Sequence, residues 1–192
     1  WVREHEPALF ARTTRVLLPK DWLRLLLSGE AVSEMSDASG TLWLDVGRRD
    51  WSDELLAATG LTRAHMPRLV EGSEASGRLK ADVAQALGLR PGTVVAGGAG
   101  DNAASAVGMG AVEAGQGFLS LGTSGVLFVV TPDYQPNPAS ATHAFCHAVP
   151  GRWHQMSVML SAASALQWVA DLLGAANASE VATRAASLSP SD

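Results

Sequence analysis

Apolar residues in the first half of the chain recur at helical spacing and end at turn residues. Pro19 favours a helix start and Gly29 a helix stop, which predicts a helix between them. Its apolar face consists of Trp22, Leu23, Leu26 and Leu27. Ser52 is a typical N-cap for a second helix ending before Gly60, and Gly88 stops a third. The apolar residues of the third helix are Leu79, Val83 and Leu87.

The second half changes from helical spacing to short apolar runs bounded by glycine and proline, which is typical of strands. The predicted strands are residues 93–96, 118–121, 126–131, 143–149 and 153–158. Small residues at 103–106 suit a tightly packed helix after the first strand. A broad apolar face over 162–173 predicts a helix that packs on a sheet. The order of elements indicates an α/β protein.

Composition excludes several classes of protein. The net charge is −5 and no run of Lys or Arg is present, so nucleic acid and an anionic membrane are unlikely partners. The longest uncharged stretches, 114–132 and 134–151, are broken by glycine or proline, which argues against a spanning helix. Cys146 is the single cysteine, so no internal disulfide can form, and this fits a cytoplasmic protein.

Charge is distributed unevenly along the chain. Residues 1–90 hold 12 of the 14 Lys/Arg and 13 of the 19 Asp/Glu. A free-standing domain normally carries charges over its whole surface. The weakly charged second half therefore favours the interpretation that further chain covers it. The alternative is a surface rich in Ser, Thr, Asn and Ala.

Asp101 is the first candidate for chemistry. It follows a predicted strand and four small residues, 97–100, and precedes a predicted helix. A helix dipole favours an ionised carboxylate at this position by about 0.3–1 kcal/mol. Such a carboxylate beside a bound hydroxyl can orient that hydroxyl and accept its proton, as in a kinase. Asp is also a common N-cap residue, and the pattern alone leaves both roles open.

A tight hairpin predicted at Gly122, Thr123, Ser124 and Gly125 is the second candidate. Backbone N–H groups in a glycine turn can bind phosphate oxygens, and the two hydroxyls add donors. An ordinary two-residue hairpin favours the same residues, so this motif is weak by itself.

A third group, His143, Cys146 and His147, has a spacing that suggests a metal site. Strand alternation places the two histidines on one face and the cysteine on the other. That arrangement does not gather three ligands, so we reject a zinc site and expect packing and hydrogen-bonding roles.

Several ordered segments together resemble the FGGY family of carbohydrate kinases, and within it the xylulokinases. The resemblance covers nearly the whole chain, and a set of ordered matches is more specific than any one motif. Ala99, where xylulokinases often have Gly, is a small departure that leaves the carboxylate argument intact. The matching segments are Leu18–Leu23, Ser36–Thr41, Arg49–Ser52, Val95–Ala104, Leu119–Val126 and Met156–Trp168.

The resemblance implies a two-domain α/β fold of the actin/hexokinase (ribonuclease H-like) type. Residues 1–113 would end the first, sugar-binding domain and 114–192 would begin the second, ATP-binding domain. The implied activity is transfer of the ATP γ-phosphate to D-xylulose. The family's first phosphate loop and its adenosine-binding loops are not found among these residues, so the 192 residues alone are expected to be inactive.

Residue roles follow from the same resemblance. Asp101 would be the general base and a sugar contact, and Asn102 a second sugar contact. Gly122 to Gly125 would hold the ATP phosphates with Mg²⁺, while the metal ligands stay unassigned. The alternatives are a kinase for another ketose or polyol, such as ribulose or glycerol, and a non-catalytic sugar-binding module. Whether the protein is a homodimer is left open.

Overall fold

The structure is a computed structural model and describes residues 1–188. Its α-helices are α1 (Val2–His5), α2 (Pro7–Ala11), α3 (Pro19–Ser28), α4 (Met35–Ala38), α5 (Asp53–Ala58), α6 (Ala81–Ala86), α7 (Asp101–Gly108), α8 (Ala163–Leu173) and α9 (Ala178–Ala186). Its strands are β1 (Val32–Glu34), β2 (Leu44–Asp45), β3 (Asp50–Trp51), β4 (Arg68–Val70), β5 (Ala75–Arg78), β6 (Val94–Ala96), β7 (Gly117–Leu121), β8 (Gly125–Thr131), β9 (His143–Cys146) and β10 (Trp153–Met159).

Helix α3 begins and ends where the sequence predicts, but it buries its charged side and leaves part of its apolar face exposed. Gly29 ends it in the left-handed conformation, with φ of 82°. The side chains that it buries are Asp21 and Arg24, whereas Trp22 and Leu23 are more than half exposed. The reason is that Arg24 donates to backbone carbonyls of other segments, which draws the charged side of the helix inward.

The other two predicted helices of the first half are present. The Ser52 hydroxyl accepts from the Leu55 N–H at 3.3 Å and caps α5. Helix α6 is shorter than predicted. Leu79 lies before it, and the Leu79 N–H donates to the Thr93 carbonyl instead. Gly88 follows α6 with φ of 66°, as a helix stop requires.

The first half contains three two-stranded sheets, of which the β2–β3 pair contributes to a hydrophobic core. Strand β1 pairs with β4 in parallel, while β2 pairs with β3 and β5 with β6 in antiparallel fashion. The core consists of Met35, Ala38, Leu44, Trp51, Leu56, Leu61, Met66 and Cys146. Cys146 belongs to β9, so this core joins the two halves of the chain.

The second half forms one antiparallel sheet in the order β7-β8-β10-β9. Phe128 and Val130 of β8 are fully buried in a second core with Met156 of β10. Ala106 of α7 also belongs to this core, so the helix that starts at Asp101 packs on the sheet.

Two details of the predicted strands are wrong. The hairpin loop has three residues, 122–124, because Leu121 pairs with Gly125 and Gly125 already belongs to β8. The strand predicted over 143–149 ends at Cys146, and the next residue, His147, lies outside it.

Helix α8 matches its predicted position but not its predicted packing. Only Ala170 is buried, and it lies in a helix whose main neighbour is α9. The large apolar side chains of α8 are substantially exposed, which contradicts a broad face buried on a sheet; they are Leu166, Trp168, Leu172 and Leu173. Within residues 1–188, no helix has the length and apolar character needed to cross a membrane.

Candidate active site

Asp101 is the first residue of helix α7, with Gly100 in the N-cap position. Its Oδ1 accepts hydrogen bonds from the Asn102 N–H at 2.7 Å and from the Asn102 amide at 3.2 Å. The side chain is exposed, so a ligand can reach the carboxylate. The helix N-terminus therefore presents a carboxylate and an amide side by side.

A small cavity of about 90 Å³ lies beside Asp101. Its walls combine carboxylates, an amide and hydrophobic side chains. That combination suits a polyhydroxylated ligand, since carboxylate and amide groups bind hydroxyls while hydrophobic walls contact C–H groups. The lining residues are Ser36, Asp37, Gly40, Gly100, Asp101, Asn102, Ala103, Phe145, His154 and Met156.

His154 gives the cavity a neutral, buried wall. Its ring stacks on Phe128 with centroids 4.1 Å apart, and its Nδ1 has no hydrogen-bond partner in the described part of the chain. Burial, with a smaller effect of His147 and His143, lowers the pKa of His154 to about 3. The imidazole is therefore uncharged at neutral pH.

His147 is also buried, but both of its ring nitrogens have partners. Nε2 donates to the Ala111 carbonyl at 3.2 Å, and Nδ1 accepts from the Val149 N–H at 2.9 Å. Burial lowers its pKa from the ordinary value. These contacts give His147 a packing and hydrogen-bonding role.

The hairpin loop is exposed and docks on the start of helix α8. The Thr123 carbonyl accepts from the Ala162 N–H at 2.8 Å and from the Ser164 hydroxyl at 2.9 Å. The Gly122 N–H is used within the turn, where it donates to the Ser124 carbonyl at 2.8 Å. Among residues 1–188, no hydrogen bond uses the backbone N–H or the side-chain hydroxyl of Thr123 or Ser124 as its donor.

The structure brings some of the predicted site residues together and leaves others apart. Asp101 and Asn102 share the cavity, whereas no residue of 122–125 lines it. Sequence reasoning missed the cavity wall formed by β9 and β10, because a strand pattern does not show which cavity its residues line. Ser36 and Asp37 were present in a family-like segment, but nothing in their spacing placed them beside Asp101.

Comparison with known proteins identifies the family. The N-terminal domain of the FGGY family of carbohydrate kinases matches residues 1–108. The chain belongs to this family. FGGY kinases of known structure have the same mixed α/β fold, which confirms the predicted actin/hexokinase-like architecture.

The FGGY chain is similar to proteins named xylulose kinase. It is 60% identical over 177 residues to the one from Klebsiella pneumoniae, which covers 92% of this chain and 36% of the relative. The identity to the xylulose kinase of Escherichia coli (strain K12) is 59% over the same length. A crystal structure of a xyloylose kinase from Brucella ovis superimposes with a TM-score of 0.88 at 61% identity, covering 91% of this chain and 36% of that one.

The FGGY chain thus spans about a third of the length of the curated relatives that it matches, 36% for the Klebsiella protein. The described residues include the Asp101 cavity and the hairpin loop of residues 122–124.

Proposed function

We propose that the full-length kinase containing these residues transfers the γ-phosphate of ATP to D-xylulose. The observation that carries the proposal is the Asp101 carboxylate, exposed beside a cavity lined by Asn102 in a chain 60% identical to a xylulose kinase. In the proposed reaction, Asp101 orients the terminal hydroxyl of the sugar and accepts its proton as the oxygen attacks the γ-phosphorus. Asn102 binds a neighbouring sugar hydroxyl.

The fixed position of the carboxylate supports this role. Two hydrogen bonds from Asn102 orient the Asp101 carboxylate at the start of α7. A base must be ionised and within hydrogen-bond reach of the proton that it takes. Phosphoryl transfer otherwise depends mostly on positioning and on stabilising the charge of the phosphates.

The hairpin residues 122–125 are proposed to bind ATP phosphates. The unused N–H and hydroxyl donors of Thr123 and Ser124 fit an anion, whereas the Gly122 N–H already serves the turn. Mg²⁺ would neutralise phosphate charge when bound, and it commonly takes one or two carboxylates together with phosphate oxygens. No ligand residue for the metal is assigned.

The proposal extends to the organisation of the protein. Residues 1–113 are assigned to the end of the sugar-binding domain and 114–192 to the start of the ATP-binding domain. A cytoplasmic location fits a single cysteine that is buried and free.

A phosphorylation assay on the full-length kinase tests the substrate. ADP release is measured with D-xylulose, ribulose and glycerol at equal concentrations. The proposal expects the highest kcat/KM with D-xylulose. A preference for ribulose or glycerol would contradict the sugar assignment, and sugar binding without ADP release would favour a non-catalytic sugar-binding module.

A further inference from the structure

The segment that leads into Asp101 has almost no side chains with which to anchor itself. Residues 97–100 are Gly, Gly, Ala and Gly, and Gly98 has φ of 78°, a left-handed conformation that favours glycine. The backbone of residues 97–100 is therefore held by hydrogen bonds to other segments. The Gly97 N–H donates to the Glu74 carbonyl at 2.8 Å and the Gly98 N–H to the Gly72 carbonyl at 2.9 Å.

Ser36 holds the other end of this segment, next to Asp101. Its hydroxyl oxygen accepts from the Gly100 N–H at 2.9 Å, and its side chain is buried. Gly100 is the N-cap of α7, so this bond fixes the peptide that enters the helix. It is a contact between residues 64 positions apart, and it lies one residue from the carboxylate.

Glu34 in turn fixes the orientation of the Ser36 hydroxyl. That hydroxyl donates its single proton to Glu34 Oε2 at 2.8 Å, so its lone pair is left to accept from Gly100. Glu34 is fully buried, and its carboxylate also accepts from the Asp37 N–H at 2.8 Å and from Lys20 Nζ at 2.7 Å. With its hydrogen bonds satisfied on several sides, the carboxylate has little freedom to move.

We propose that Ser36 and Glu34 are positioning residues for the reaction, acting on Asp101 through the Gly100 N–H. This inference rests on the proposed role of Asp101 as the general base. The relay runs from the Glu34 carboxylate to the Ser36 hydroxyl, then to the Gly100 peptide and the first turn of α7. Neither residue gives up a proton in the reaction; together they set where the Asp101 carboxylate meets the sugar hydroxyl.

The test replaces Ser36 in the full-length kinase and separates kcat from KM. Ser36→Ala removes the acceptor for Gly100, and a displacement of about 1 Å at a reacting group can lower the rate about 100-fold. We expect kcat to fall about 10- to 100-fold while the sugar KM changes less than about threefold, since Asp101 and Asn102 remain. Ser36→Thr keeps the hydroxyl and should restore most of kcat.

Ser39→Ala is the matched control. Ser39 is buried in the same segment, and its hydroxyl also donates to one group and accepts from another: the Met35 carbonyl at 2.8 Å and the Cys146 N–H at 3.0 Å. It makes no bond to residues 97–100. We expect Ser39→Ala to lose stability in a thermal-shift assay comparable to that of Ser36→Ala, and to keep kcat within about threefold of the parent.

The outcomes separate this inference from the proposed function. Parent-like kcat in Ser36→Ala, with Asp101→Asn inactive, would overturn the positioning role alone. Equal losses of kcat in Ser36→Ala and Ser39→Ala would overturn it too, since they would reflect general damage. An active Asp101→Asn would instead overturn the base assignment. If Ser36→Ala does not fold, Glu34→Gln replaces it, and unchanged kcat in that variant would contradict the proposal.

Discussion

Acid should destabilise the four-stranded sheet β7-β8-β10-β9, because protonation of His154, a buried residue that lines the Asp101 cavity, is unfavourable in the folded protein. His154 is 2% exposed, and burial lowers its pKa from 6.5 to about 3. An unfolded chain therefore binds a proton at this residue well before the folded sheet does. The stability that His154 contributes is fully present above about pH 6.5 and is lost as the pH falls from there towards about 3.

The size of the effect follows from the same shift. One pKa unit corresponds to about 1.4 kcal/mol, so moving from pH 7 to about pH 4.5 should cost roughly 3 kcal/mol at His154. His147 shifts in the same direction and adds to the loss. The lowered pKa of Asp50 acts only below its ordinary value of 3.8, outside this range. Burial raises the pKa of Asp21, so its protonation in acid opposes the loss.

Hydrogen exchange on the full-length kinase measures this directly. Peptides from β8 and β10 are followed at about pH 7 and about pH 4.5, with rates corrected for intrinsic exchange. His154→Phe keeps an aromatic ring against Phe128 but cannot titrate, so most of the acid-induced loss of protection should disappear. His143→Phe, at an exposed position of β9, is the control and should keep most of the acid-induced loss seen in the parent. Equal acid sensitivity in the parent and His154→Phe would refute the reasoning.

Three further substitutions test other parts of the structure. Thr123→Val should raise the ATP KM several-fold and leave sugar binding intact; unchanged ATP KM and kcat would reduce the hairpin to an ordinary turn. Arg24→Met removes the ion pair with buried Asp21 and two hydrogen bonds to backbone carbonyls, and should lower the unfolding free energy by about 3–5 kcal/mol in urea denaturation; a loss below about 1 kcal/mol would contradict this. Gly97→Ala would push a Cβ into the Glu71 carbonyl oxygen and should lower kcat; parent-like kcat would show that residues 97–100 tolerate displacement.

Local signals in the sequence predicted the bounds of some helices and strands, whereas α1, α2, α4, α9 and β1–β5 were not predicted. Pro19 and Gly29 bound α3 and Ser52 caps α5, because each of these acts on its own neighbouring backbone. The position of Asp101 at the start of a helix after a strand was predicted for the same reason. The actin/hexokinase-like fold, in contrast, followed from the resemblance to a family and not from local signals.

Packing and the cavity could not be predicted, since they depend on contacts between distant residues. Arg24 is buried because it donates to the Gly97 carbonyl, 73 positions away, and no helical period shows such a partner. His154 lines the Asp101 cavity only because β10 lies between β8 and β9 in the sheet. The spacing of apolar residues on α8 identified an apolar face, but it did not show whether another element of the structure covers that face.

The central claim is that Asp101 is the base for phosphoryl transfer, and one substitution tests it most directly. Asp101→Asn in the full-length kinase keeps the shape of the side chain but cannot accept the proton. The account predicts a kcat lowered about 10²- to 10⁴-fold, with sugar binding by calorimetry within a few-fold of the parent. A variant that turns over D-xylulose within a few-fold of the parent rate would show that Asp101 only orders the first turn of its helix.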